Sequence, residues 1–153
     1  PNPHPERAPL RAHTRCSTKR SRRCGMSFKI LKRLDGEKHI VEHEDTELCV
    51  RVHAPTDSLV GTTTRAELSF TEVLFSRILP TDTPSDHGLF PEGPNIRLVG
   101  SVHNRIDTDE VAIYDVYVQK GPEFACFDST EVGEWRVGDG VEAVVCGVTL
   151  YPT

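Results

Sequence analysis

His39 and His43 bracket Glu42, an imidazole–carboxylate–imidazole set that could hold a transition metal if the segment were helical, because positions i and i+4 share a helix face. The intervening Ile40 and Val41 instead favour a strand. On a strand, four residues separate two side chains by about 13 Å at roughly 3.3 Å per residue, too far for shared coordination. Both imidazoles are therefore expected as solvated edge side chains. The same arithmetic separates Cys49 from His53. Cys146 and His103 could be neighbours across a sheet and form a nucleophile–base pair. Cys146, however, lies on the more apolar face of its segment, where burial raises a thiol's pKa.

His13, Cys16 and Cys24 contain one zinc-like interval but no compact fourth ligand. Asp107, Asp109 and Glu110 could face a hard cation, yet the segment lacks the spacing, central glycine and closing glutamate of a calcium loop. It reads as an acidic hairpin tip whose aspartates accept backbone bonds. No metal or cofactor is expected. The chain has no nucleophile elbow, phosphate-cradling glycine loop or dinucleotide fingerprint. An enzyme reading is left with one location, near His103 and Cys146.

Charge is more informative. Lys19, Arg20, Arg22 and Arg23 form a dense basic run that could contact phosphates. Residues 1–25 carry seven basic side chains and one acidic one. With Leu10 as their only large aliphatic residue, they cannot build a core. Residues 26–153 reverse the sign, with 11 basic and 22 acidic side chains, a formal charge of −11. Within that acidic part, Arg97, His103 and Arg105 form one small basic patch on a single strand face. The aromatic residues are not interleaved with a basic stripe and read as packing.

The chain thus divides into a basic, unfolded extension over residues 1–25 and an acidic β domain over residues 26–153. Met26 marks the boundary and could itself be the biological start. No segment has the apolar length of a membrane span, and no apolar stretch follows the basic run as a signal peptide requires. Five cysteines without framework spacing suggest free thiols in a reducing cytoplasm.

Within the domain, Asp35-Gly36 marks a hairpin turn. Leu48, Val50 and Val52 alternate with Glu47, Cys49, Arg51 and His53, the period of a half-buried strand. Residues 64–79 read as a strand leading into a short helix, with Ser69 and Glu72 as a capping box, or else as a single long strand with a bulge. Residues 80–95, rich in Pro and Gly, read as a long loop, either a mobile segment or a binding loop, anchored by Leu89 and Phe90. Ile96, Leu98, Gly100, Val102 and Ile106 share a strand face. Residues 111–118 change parity, as a bulge near Tyr114 and Asp115 would produce. Residues 141–151 form one strand covered on both faces.

About seven or eight short antiparallel strands and at most one short helix imply a mainly β fold, either a small OB-like barrel or a β-sandwich. Gly138-Asp139-Gly140 before the last apolar run suits an OB-like closing strand. The functional expectation is a non-catalytic module that binds a protein, such as a basic one, through an acidic surface. Leu89, Phe90, Asp107, Asp109 and Glu110 would make the contact. The alternative is an OB-like single-stranded nucleic-acid binder. In it Lys19, Arg20, Arg22 and Arg23 would assist Arg97, His103 and Arg105.

Overall fold

The alternating segments after residue 25 become a three-stranded meander, β1 (Met26–Asp35), β2 (Lys38–His43) and β3 (Thr46–Val52). The computed structural model describes residues 25–53, 57–81, 86–118 and 123–153. Gly36 turns the first hairpin, and Glu44 and Asp45 turn the second with φ of 51° and 67°. Two consecutive positive φ values match the twist that a two-residue hairpin demands. Phe28, Ile30, Val41, Leu48, Val50 and Val52 point inward and are buried, while Lys38, Cys49 and Arg51 point outward.

β4 (Thr63–Ser69) pairs antiparallel with β1. β11 (Thr149–Pro152) lies between β3 and β4, parallel to the first and antiparallel to the second. The result is a closed five-stranded barrel in the order β1-β2-β3-β11-β4.

The remaining strands form a separate six-stranded sheet. β5 (Glu72–Ile78), β10 (Gly140–Cys146), β7 (Asn95–Asp107), β8 (Ala112–Tyr117) and β9 (Phe124–Asp128) follow one another across it, and β6 (Gly88–Glu92) pairs with β7. One edge of β7 serves β10, while the other is shared by β6 and then β8. Gly100 sits at that handover. A Cβ there would fall 2.2 Å from the Tyr117 carbonyl oxygen, so only glycine lets the strands approach.

Barrel and sheet share one ribbon. β4 pairs with β11 and β5 with β10 in a single continuous register, from Thr149 opposite Ser69 to Cys146 opposite Glu72. At the crossing, the Thr71 N–H donates to the Cys146 carbonyl at 2.8 Å. Gly147, at φ 63°, leaves no room for a Cβ beside Thr71. The buried side chains of both units make one apolar core, and Phe70 meets Phe127 at 5.2 Å across the junction.

Several expectations need correction. The helix after Ser69 does not form, because residues 72–78 are held by the ladder to β10. Tertiary pairing outweighs the local capping signal there. The only α-helix among the described residues is α1 (Ser129–Val132). Its capping box is made by Asp128 and Glu131. The long loop is partly strand, since β6 pairs with β7 through a tight turn at Gly93 and Pro94. The terminal run is two strands rather than one, because Gly147 moves the chain from sheet to barrel. The bulge belongs to β7: Val102 pairs with Val116 and Asn104 with Asp115, leaving His103 as the extra residue. It moves Ile106 out of the alternation of Ile96, Leu98, Gly100 and Val102.

His39 and His43 are not solvated edge residues; they are 2% and 1% exposed. Barrel closure and the inserted sheet cover faces that a lone hairpin would leave open. Among the described residues, no helix is long and apolar enough to cross a membrane. The basic run Lys19, Arg20, Arg22 and Arg23, and the His13, Cys16 and Cys24 set, lie outside the described residues.

Candidate binding cleft on the outer barrel face

Side chains that alternate outward from β2 and β3 line up in rows, because the two strands pair residue by residue. Lys38 faces Arg51, Ile40 faces Cys49, and Glu42 faces Glu47. The face therefore runs from two cations, through an apolar middle, to two carboxylates. Four residues separate its charged ends, about 13 Å at strand rise.

The β6–β7 hairpin arches over this face. Pro91, Gly93, Pro94 and Asn95 form a roof, with Gly147 and Val148 at one side, enclosing a cleft of about 450 Å³. Proline stiffens the turn by fixing φ. The volume is within the range of small-ligand sites. Thus the segment expected to be a binding loop does contribute to a cavity, but as a hairpin roof.

Glu37, in the β1–β2 turn, controls the cationic end. Its backbone carbonyl accepts from the Val52 N–H at 2.8 Å and from the His39 Nδ1–H at 2.6 Å. That is the task of the buried His39. So fixed, the Glu37 carboxylate lies 3.4 Å from Arg51 Nη2 and 3.0 Å from His53 Nδ1. His53 in turn packs against Tyr151 of β11, ring centroids 5.2 Å apart. Lys38 and Arg51 thus line one end of the cleft, and the Glu37 carboxylate joins that end to the neighbouring His53–Tyr151 pair.

The residues singled out from sequence are dispersed. Arg97 lies on the outer sheet face, over the Phe90 ring at 4.7 Å, and pairs with Glu92 and Glu142. His103, on its bulge, stacks on Tyr117 at 4.0 Å. The bulge turns Arg105 to the opposite face from Arg97, beside the buried Tyr114. There Arg105 binds Asp107 and Glu134 and donates to the Trp135 carbonyl. Hydrogen bonds to Glu134, then Asp107, push its pKa above the ordinary arginine value and keep its charge neutralised locally. The three side chains do not form one basic patch.

Leu89 is 1% exposed and belongs to the core, so it is not a surface contact: β6 pairing turns it inward. Asp109 and Glu110 are exposed, but Asp107 is engaged by Arg105. Thr108, rather than an aspartate, holds that turn: its hydroxyl accepts from the Val111 N–H. Cys146 and His103 are not neighbours. Val145 pairs with Ile96, seven positions along β7 from His103, roughly 23 Å at strand rise. No group of three or more metal-ligating side chains occurs among the described residues.

The cleft residues Lys38, Ile40, Cys49 and Arg51, and the neighbouring His53 and Tyr151, were not singled out as a site from sequence. The outward half of the β3 alternation was the available signal, but nothing local says that a hairpin more than forty residues later will roof it. The chain matches no protein-family model and no curated protein.

Proposed function

We propose that this protein is an OB-type, non-catalytic binding module that takes single-stranded nucleic acid in the cleft over β2 and β3. One observation carries the reading. The barrel order β1-β2-β3-β11-β4, with β3 and β11 parallel, is the strand order of an OB-type barrel. Such barrels bind oligonucleotides and oligosaccharides across strands 2 and 3, flanked by the connections between strands 1 and 2 and between 4 and 5. Here the second connection is the whole inserted sheet, and its β6–β7 hairpin forms the roof.

The local chemistry supports the same reading. Lys38 and Arg51 suit a phosphate, and exposed His53, packed on half-buried Tyr151, offers a stacking surface beside them. The basic run Lys19, Arg20, Arg22 and Arg23 would add sequence-independent phosphate attraction. The scattered positions of His103 and Cys146 argue against a catalytic role for either.

Fluorescence anisotropy with a labelled oligonucleotide of about 15 nucleotides tests the reading, a length near the upper limit for one OB barrel. Binding should weaken at least tenfold in a Lys38→Glu, Arg51→Glu double variant that retains its thermal stability. Absence of binding by the full chain at low salt, or unchanged binding by that variant, would overturn it.

The charge of −11 over residues 26–153 favours a second reading, a module that binds a basic protein. A labelled lysine-rich peptide is its probe. Binding that exceeds oligonucleotide binding and falls when Asp109 and Glu110 are neutralised would select it.

A further inference from the structure

The charge gradient along the cleft determines more than that a strand binds. Building on the nucleic-acid reading, we infer that the cleft accepts one nucleotide lengthwise and selects cytosine or adenine, the bases whose exocyclic amine lies at the edge remote from the sugar. The basic row is a single cross-strand pair, Lys38 opposite Arg51, and Arg51 is shared with the Glu37 carboxylate, so the row offers charge for one phosphate at most. Across the apolar middle, Glu47 is exposed and lines the same cavity. A second phosphate there would meet a carboxylate, so the backbone is confined to the Lys38–Arg51 end.

With its phosphate held at that end, a nucleotide must point its base along the strands. The base then lies over Ile40 and Cys49, beneath the prolines of the roof. The roughly 13 Å between the charged rows suits the reach from a phosphate to the far edge of its base. At that edge the base meets Glu47, which as a carboxylate only accepts hydrogen bonds. Cytosine and adenine present an amino group to such an acceptor, whereas thymine and uracil present a carbonyl oxygen. That oxygen is repelled by the carboxylate, and the N3–H beside it reaches the acceptor only if the base shifts sideways, so the contact is weaker than the amine's. The cleft therefore prefers cytosine or adenine to thymine or uracil.

Equilibrium binding of matched oligo(dC) and oligo(dT) to the full chain tests this, with oligo(rC) and oligo(rU) as the RNA arm. Comparing pyrimidines keeps stacking nearly constant. The expected result is at least about fivefold tighter binding of the amine-bearing strand. Glu47→Gln should reduce that ratio towards one, because an amide can donate to the thymine carbonyl as well as accept. Lys38→Gln should weaken both strands alike and leave the ratio intact. Equal wild-type affinities, or a ratio that survives Glu47→Gln, would overturn the base preference while leaving the nucleic-acid reading standing. Failure of every strand to bind would instead remove the reading beneath it.

Discussion

His43 of β2 and Glu123, just before β9, meet where the barrel abuts the inserted sheet, with Nε2 3.0 Å from Oε1. His43 is 1% and Glu123 13% exposed at the side chain. The Nδ1 of His43 is buried without a hydrogen-bond partner, and its Nε2–H donates to the carboxylate. Burial pushes the Glu123 pKa up, but the His43 contact, the Ser27 backbone and the Arg65 charge outweigh it. The group is held below the ordinary glutamate range.

A depressed folded-state pKa stabilises the fold above the unfolded value, about 4.3 for glutamate, and this contribution is lost as pH falls through the folded value. Glu123→Gln should therefore flatten the acid limb of stability against pH. Urea unfolding between neutral and acid pH checks this; an unchanged slope would show that the pair does not couple to folding. Near neutrality, His43→Ala should cost about 1–3 kcal/mol, since it strands the Glu123 carboxylate as well as removing packing.

The Glu37 carboxylate engages Arg51 and His53, and so competes with a phosphate for the Arg51 guanidinium. Glu37→Gln should tighten oligonucleotide binding about two- to threefold, a modest gain because exposed pairs are weak. The measurement is affinity at several salt concentrations. Weaker binding in this variant would mean that Glu37 contributes to the ligand site rather than competing for it.

Arg97 and Arg105 are engaged by carboxylates on opposite faces of β7. Arg97→Ala and Arg105→Ala should leave oligonucleotide affinity within about twofold, because neither lines the cleft and each is held by two carboxylates. Arg105→Ala should lower the unfolding midpoint by loosening the segment held through the Trp135 carbonyl. A large affinity loss in either variant would restore the basic patch that the sequence suggested.

Gly147 is where the shared ribbon passes from sheet to barrel. A valine there meets Thr71 and a backbone at φ 63° that disfavours β-branched residues. Gly147→Val should destabilise by about 2–4 kcal/mol, from steric conflict plus backbone strain. Thermal unfolding measures it, and a near-neutral result would show that the crossing can relax.

The sequence alone determined what depends on neighbours along the chain. The inward set Leu48, Val50 and Val52, the outward set Glu47, Cys49, Arg51 and His53, and the Asp35-Gly36 turn follow from a period of two and from turn chemistry. So does the mainly β class. Tertiary structure decided which strands pair, and that moved the site. Residues 72–78 became a strand because β10 lay beside them. A single extra residue at His103 sent Arg105 to the far face. The cleft joins β2 and β3 to a hairpin distant in sequence, and such a pairing leaves no local trace because its energy comes from contacts between segments that the chain order does not bring together.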